Sequence, residues 1–246
     1  MSLHNAPLLP GLPLLAEAGI VTAILAGAAF AAGRVSRSGA IGGWVLATVI
    51  YWTLGWHGIL VPLVFFLLGD GATRFGYQQK AAKGIAQEHG GRRSAKNAVA
   101  NVSAGVIAAL LLRSHPEPWW AVAYAATFAT AAADTVSSEL GQVLGKTPIH
   151  PLTFQRVEPG TEGAVSMEGT VAGLMAALIC GLVAWAAGMP SQPLAVLLIG
   201  LAGAAGNWVE SAVGSVIGKR VNNELINFFN TVVGGAVGWT LARLLL

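Results

Sequence analysis

The chain has 246 residues, of which 54% are hydrophobic and only 10% are charged, and its mean hydropathy is +0.65. Soluble domains carry roughly 25% charged residues, so this composition excludes an ordinary soluble domain and predicts a membrane protein. The net charge of +3 comes from basic residues that cluster in loops rather than along one stripe, which excludes a nucleic-acid-binding protein.

Apolar stretches recur along the chain and approach the roughly 20 residues that a helix needs to cross a bilayer. The predicted fold class is therefore all-α, a polytopic transmembrane helical bundle that forms a single integral membrane domain over residues 1–246. The predicted spans are Leu14–Gly33, Ile41–Leu54, Ile59–Leu68, Ala98–Leu112, Trp119–Gly141, Met167–Ala187, Leu194–Ile217 and Leu225–Leu246. The second and third are short, and the alternative is one long helix kinked at Gly55–Gly58, so we expect seven or eight spans.

Basic residues predict the orientation of these spans. With eight spans and the N-terminus outside, 12 Lys and Arg residues lie on one side and only Arg113 and Arg243 on the other, whereas seven spans give 10 against 4. The positive-inside rule prefers eight. We expect a multi-pass protein of the cell (inner) membrane whose long loops, residues 70–96 and 142–166, face the cytosol and are functional. The alternative for these loops is contact with anionic lipid headgroups.

A weak internal repeat occupies the ends of the fifth and seventh predicted spans. Ala131–Lys146 and Ala204–Lys219 are identical, without gaps, at eight of 16 positions. In the first copy Asp134, Ser137 and Ser138 follow a spacing that places them on one helix face. The second copy repeats that spacing with Asn207, Glu210 and Ser211. Helix packing seams are the alternative interpretation, and they account for the small residues but not for the acids.

Acidic residues in these repeats are candidate catalytic groups. A carboxylate inside a span costs about 2.5 to 3.5 kcal/mol on insertion scales, so it indicates a functional site that supplies a partner or a water-filled cavity. We predict Asp134, Glu139 and Glu210 as catalytic residues, and Asp134, Asn207 and Glu210 as ligands of Mg²⁺, which prefers oxygen ligands and substrate phosphates. Glu139 lies nearer the edge of the span and points away from Asp134.

Asparagines recur where two further spans begin. Asn97 and Asn101 are one turn apart, and Asn223, Asn227 and Asn230 follow a helical spacing. Their amides add oxygen and nitrogen atoms to the predicted site, with helix capping and interhelical hydrogen bonds as the alternative.

Basic and glycine-rich loop residues complete the groups that phosphate binding needs. Arg92, Arg93 and Lys96 precede Asn97, and a stretch from Arg156 leads into the next predicted helix. A helix N-terminus with glycine-rich backbone binds anions, and Arg or Lys neutralises a transferring phosphoryl group. The chain has no Gly-x-x-x-x-Gly-Lys-Ser/Thr segment, which excludes a P-loop kinase.

Five segments carry a resemblance to a known family. They are Gly-Asp-Gly-Ala-Thr-Arg-Phe-Gly-Tyr (69–77), Gly-Gly-Arg-Arg-Ser-Ala-Lys-Asn-Ala-Val-Ala-Asn (90–101), Ala-Asp-Thr-Val-Ser-Ser-Glu-Leu-Gly (133–141), Arg-Val-Glu-Pro-Gly-Thr-Glu-Gly-Ala-Val-Ser (156–166) and Asn-Phe-Phe-Asn (227–230). Together they resemble the integral-membrane family that contains the phytyl-phosphate kinase of plant and cyanobacterial tocopherol synthesis.

A more distant resemblance starts at Asp134 and continues through Gly141, Gly145-Lys146 and 166–169. It is similar to a pattern of dolichol kinases and phosphatidate cytidylyltransferases, which use CTP and a lipid phosphate at the membrane edge. Val165 stands where that pattern has a lysine, and Lys146 or Arg156 is the candidate to supply the missing charge.

These resemblances imply a lipid kinase that uses a nucleoside triphosphate, CTP by resemblance, and Mg²⁺ to phosphorylate an isoprenyl monophosphate among membrane lipids. The alternatives are a CTP-dependent cytidylyltransferase acting on a lipid phosphate and a non-enzymatic transporter. A homo-oligomer is left open. The predicted substrate- and nucleotide-binding residues are Arg74, Arg92, Arg93, Lys96, Asn97, Asn101, Ser137, Ser138, Lys146, Arg156, Gly160, Thr161, Ser166, Glu168 and Asn227.

Overall fold

The structure is a computed structural model that describes residues 8–9, 11–218 and 221–246. Its helices are α1 (Leu14–Ala31), α2 (Arg37–Arg74), α3 (Tyr77–Ala82), α4 (Ala95–Ser114), α5 (Pro118–Leu144), α6 (Met167–Ala186), α7 (Leu194–Ile217) and α8 (Asn223–Leu245), with a 3₁₀ turn at Glu88–Gly91. The described residues form isolated β-bridges but no strand. Six helices are long and apolar enough to cross a membrane, which confirms the all-α, polytopic fold.

Helix α2 is a 38-residue element that folds back on itself at Gly55. Gly55 has φ 67° and ψ −166°, a conformation that glycine adopts without steric cost. Arg34, just before α2, pairs with Asp70 near its end at 2.8 Å. A straight helix would separate these positions by about 54 Å at 1.5 Å per residue. The two arms, residues 37–54 and 56–74, are therefore antiparallel, and each is about 27 Å long. The two arms correspond to the two short predicted spans, and each arm is longer than the span predicted for it.

The predicted loop 70–96 is largely helical. Helix α2 continues to Arg74 with an ion pair between Asp70 and Arg74 at 3.1 Å, and α3 follows after two residues. Helix α4 begins at Ala95, three residues before the predicted start, because Ser94 caps it together with Asn97. The second predicted loop begins later than expected, since α5 extends to Leu144.

Helix α5 is the central helix and packs against α2, α4, α6, α7 and α8. Every residue from 121 to 134 is buried. Glycines let the neighbouring helices approach closely, since a Cβ atom at Gly206 of α7 or at Gly234 of α8 would overlap the side chain of Thr130. The first copy of the repeat therefore runs from the protein core to one end of the bundle.

Basic residues lie mostly at one end, where α2, α5 and α7 finish and α4, α6 and α8 begin; we call this the loop end. The described basic residues there are Arg34, Arg37, Arg74, Lys80, Lys83, Arg92, Arg93, Lys96, Lys146 and Arg156. At the opposite end Arg113 donates hydrogen bonds to the carbonyls of Trp52 and Thr53, and Arg243 lies 4.6 Å from the ring centre of Trp119. This division agrees with the predicted sidedness. Lys219 and Arg220 lie outside the described residues.

Candidate functional site

Asp134 lies in the part of α5 that runs from the protein core toward the loop end and is only 8% exposed. Its carboxyl group interacts with the guanidinium of Arg93, which precedes α4, and with the side-chain amide of Asn230 in α8. Glu210 of α7 is also close enough for electrostatic repulsion. The acid predicted as the anchor of the site is thus surrounded by polar groups from three other parts of the chain.

Asp134 and Glu210 are close enough for their carboxylates to repel each other electrostatically, and Glu162 adds a third negative charge near Glu210. Among the described residues no group of three or more His, Cys, Asp and Glu side chains is placed to hold a metal ion. Mg²⁺ usually keeps waters and is bound by one or two carboxylates together with substrate phosphates. The donor set therefore fits Mg²⁺ that arrives with a phosphate substrate, rather than an all-protein metal site.

The two copies of the repeat contact each other through Ser137 and Asn207. The Asn207 amide nitrogen donates to the Ser137 hydroxyl at 3.1 Å, and that hydroxyl lies 3.1 Å from the backbone carbonyl of Asp134. Asn207 is therefore adjacent to the acidic pair and is oriented by the first copy. Ser138, predicted on the same face, is exposed.

Arg93 is the most firmly held of the predicted phosphate-binding cations. Its backbone pairs with Arg34 and Ser36 at 3.1 and 3.0 Å, and its guanidinium donates to the Thr73 hydroxyl at 3.1 Å. Burial lowers the pKa of Arg93, and the carboxylates of Glu139, Asp134 and Asp70 oppose that shift. An arginine stays protonated under such conditions, so Arg93 is a fixed positive charge beside Asp134.

The other predicted cations surround this group on the surface. Arg74, Arg92, Lys96, Lys146 and Arg156 are all exposed. Arg74 is engaged by Asp70, which also binds Arg34. These residues share the loop end with Asp134, and their role in phosphate binding remains a prediction.

Lys80 is a residue whose importance the sequence does not reveal. Its side chain is 1% exposed and forms an ion pair with Glu139, whose side chain is 3% exposed. The Lys80 ammonium also donates to the carbonyls of Ala72 and Thr73 at 3.2 and 2.9 Å. Glu139, predicted as catalytic, thus holds α3 and the end of α2 against α5. A single lysine in a six-residue helix has no sequence pattern that distinguishes it from a surface cation.

The asparagines divide between capping and the site. The Asn97 side chain accepts a hydrogen bond from the Ser94 backbone at 2.9 Å, so the capping alternative is right for it. Asn101 is 3% exposed, and its amide nitrogen donates to the Asn97 carbonyl at 2.9 Å. Asn230 is buried near Asp134, and its side-chain oxygen and nitrogen make no hydrogen bond of standard geometry with the described residues, whereas Asn227 is one turn nearer the helix start and partly exposed.

The segment from Gly145 to Ser166 folds over the end of α7. Gly163, with φ 70°, lies against the α7 backbone, and Phe154 stacks on Trp208 with 6.1 Å between ring centres. The buried Ser166 hydroxyl accepts from the Gly169 N–H at 3.1 Å and caps α6. Gly160 and Thr161 are exposed, and Glu168 is partly exposed in the first turn of α6, so their binding roles remain predictions.

Comparisons with known proteins identify the family. The family described as "Integral membrane protein DUF92" matches residues 20–235. The chain is 37% identical to an uncharacterized membrane protein of Synechocystis sp. over 79% of this chain and 77% of that protein. It is 33% identical to an uncharacterized membrane protein of Methanocaldococcus jannaschii over 83% of this chain and 84% of that protein.

A plant relative also matches. "Protein VTE6, chloroplastic" of Arabidopsis thaliana is 32% identical over 86% of this chain and 66% of that protein. No solved structure matches the chain. These findings confirm the resemblance carried by the five sequence segments, and the chain belongs to the integral membrane family DUF92.

Proposed function

We propose that this protein is a membrane-embedded lipid kinase. It transfers a phosphoryl group from a nucleoside triphosphate, CTP by family resemblance, to an isoprenyl monophosphate such as phytyl phosphate. The observation that carries the proposal is the acidic pair of the buried Asp134 and the partly buried Glu210 beside the fixed guanidinium of Arg93. The sequence resemblance to the family of phytyl-phosphate kinase supports the same assignment.

The reaction places few demands on proton transfer. An oxygen of the acceptor monophosphate attacks the γ-phosphorus, the bond from that phosphorus to the β-phosphate oxygen breaks, and the nucleoside diphosphate leaves. Because the acceptor oxygen is already ionised, no strong general base is needed, and catalysis rests on positioning and charge neutralisation.

Each polar group of the site has a role in that chemistry. Asp134 and Glu210, with Asn207 adjacent, would hold Mg²⁺, which neutralises charge on the transferring phosphates. Arg93 binds and orients a phosphate group and is held in place by Thr73. Asn230, which is buried near Asp134, would orient the Asp134 carboxylate. The exposed basic side chains around the opening attract the anionic substrates.

The experiment that tests the proposal uses purified protein in nanodiscs with phytyl phosphate and Mg²⁺. The expected result is transfer of label to the lipid from γ-labelled CTP and none from α-labelled CTP. Transfer from the α position with release of pyrophosphate would support a cytidylyltransferase instead. Absence of transfer across several nucleotides and isoprenyl phosphates would contradict the proposed kinase.

We also propose that the loop end faces the cytosol in a cell membrane, because the described basic residues concentrate there. A cysteine placed at the exposed Lys96, in a variant that lacks the buried Cys180, is expected to react with a membrane-impermeant thiol reagent only after cells are opened. Reaction in intact cells would reverse the orientation.

A further inference from the structure

A cavity of about 450 Å³ lies between α1, the two arms of α2 and the start of α4. Ligand pockets in proteins typically have volumes of about 300 to 1,000 Å³. Apolar side chains line most of its length, among them Leu25 of α1, Ala47 of the first arm and Phe65 of the second arm. Arg93 lines this cavity and also interacts with Asp134, so the cavity begins beside the candidate site.

Polar groups are concentrated at the loop end of the cavity. They are Arg34, Asp70, Arg93, Ser94, Asn97 and Asn101, and the other polar lining residue is Thr22 at the far end. Arg34 is paired with Asp70, whereas Arg93 interacts electrostatically with Asp134. The side-chain oxygen of Asn101 is buried and makes no hydrogen bond with the described residues. A buried amide oxygen without a partner costs free energy, which a ligand or water that donates a hydrogen bond would offset.

The far end of the cavity is closed by buried side chains near the bend of α2. Ile50 is 0% exposed and Ile59 is 7% exposed, and both line the cavity. Gly39 and Ile50 are 11 residues apart on one arm, and Ile59 and Asp70 are 11 apart on the other, which gives a depth of about 16 Å at 1.5 Å per residue. The cavity is thus an apolar slot with a charged entrance and a defined floor.

Building on the proposed kinase function, we propose that this slot holds the hydrocarbon tail of the isoprenyl phosphate. The phosphate lies at Arg93, where it can reach the Asp134 site, and the tail extends between α1 and the arms of α2 toward Ile50 and Ile59. The charge at the entrance favours an anionic amphiphile over a neutral lipid. The depth of the slot favours acceptors whose tails reach the floor over short ones.

Gly43 offers a substitution that fills the slot without disturbing the helices. Gly43 lines the cavity, and a Cβ atom there would meet no other atom within 4 Å. Gly27 of α1 is the matched control, because it is exposed, does not line the cavity and also has open space at its Cβ position. Gly43→Phe and Gly27→Phe therefore make the same change inside and outside the slot, and Gly43→Leu is the smaller alternative if Gly43→Phe does not fold.

The experiment measures both binding and transfer with two acceptors, phytyl phosphate and a five-carbon isoprenyl phosphate. Binding is followed by native mass spectrometry in nanodiscs, which does not depend on catalysis. For Gly43→Phe we expect phytyl phosphate to bind at least about tenfold more weakly, because several buried methylene groups lose their place. Binding of the five-carbon acceptor and the KM for nucleotide are expected to change less than twofold, and Gly27→Phe is expected to behave as wild type.

The outcomes separate this inference from the proposed function. If wild type transfers phosphate and Gly43→Phe and Gly43→Leu bind phytyl phosphate as tightly as wild type, the tail site is wrong while the kinase stands. If wild type binds phytyl phosphate without transferring phosphate, and Gly43→Phe weakens that binding, the tail site stands while the kinase fails. If a membrane phospholipid stays bound to wild type in the presence of phytyl phosphate, the inference is overturned and the slot is a structural lipid site.

Discussion

Replacing Lys80 with methionine removes one charge of a buried ion pair while keeping a long, unbranched side chain. The side chains of Lys80 and Glu139 are only 1% and 3% exposed. The substitution leaves the Glu139 carboxylate without its cation, and one oxygen of that carboxylate already lacks a hydrogen bond. The carbonyls of Ala72 and Thr73 lose a donor as well.

Loss of one partner from a buried ion pair typically costs 3 to 5 kcal/mol, because an uncompensated charge stays buried. We therefore expect Lys80→Met to lower the free energy of unfolding by about 3 kcal/mol. The double variant Lys80→Met/Glu139→Gln removes both charges and is expected to recover more than half of that loss. Unfolding is followed by tryptophan fluorescence during titration of mixed micelles with SDS. Lys83→Met, at an exposed site three residues later, is the control and should change stability by less than about 0.5 kcal/mol.

Two results would refute this reasoning. One is a destabilisation by Lys80→Met no larger than that of Lys83→Met, and the other is a double variant whose loss equals the sum of the single losses. The same double variant examines the role of Glu139. If Glu139 positions α3 and α2 rather than contacting substrate, the rate of phosphoryl transfer by folded Lys80→Met/Glu139→Gln stays within about tenfold of the wild-type rate. A tenfold change in rate corresponds to about 1.4 kcal/mol in the activation free energy.

Three further substitutions examine the site and the packing around it. Arg93→Lys is expected to lower kcat/KM for phosphoryl transfer about 100-fold, because lysine lacks the planar fork of donors. Arg92→Lys, at an exposed site, is the control, and a similar loss there would contradict the assignment of phosphate binding to Arg93. Asn230→Ala is expected to lower kcat about tenfold because the Asp134 carboxylate loses its neighbouring amide, and an unchanged kcat would show that this amide has no role in the site. Gly234→Leu is expected to lower the free energy of unfolding by about 1 to 3 kcal/mol through overlap with α5, and unchanged stability in the SDS titration would contradict that close approach.

Long apolar stretches and the repeat were sufficient to predict the helices around α5. Asp134 and Glu210 could be found because a charge in an apolar span is costly unless it serves a site. The return of α2 at Gly55 agrees with the eight-span prediction, which the distribution of basic residues favoured over one long kinked helix. The ion pair of Arg34 and Asp70 that joins the ends of the two arms was not predicted, since no local pattern records which distant residues pair.

Pairing between distant residues also explains what the sequence did not reveal at the site. Lys80 and Glu139 are 59 positions apart, and their contact depends on the turn between α2 and α3. The choice of Asn230 over Asn227 depends on the rotation of α8 about its axis, which tertiary packing sets. By contrast, the cap formed by Asn97 is a local feature, and helix capping was among the interpretations of that residue.

The most direct test of the central claim compares Asp134→Asn with wild type for Mg²⁺-dependent transfer from γ-labelled CTP to phytyl phosphate. The substitution keeps the shape of the side chain and removes its charge. We expect kcat to fall by at least about 100-fold, as is typical when one electrostatic contact to the transferring group is lost, while phytyl phosphate still binds the folded variant. Wild-type transfer by folded Asp134→Asn would contradict a phosphoryl-transfer site built around this carboxylate.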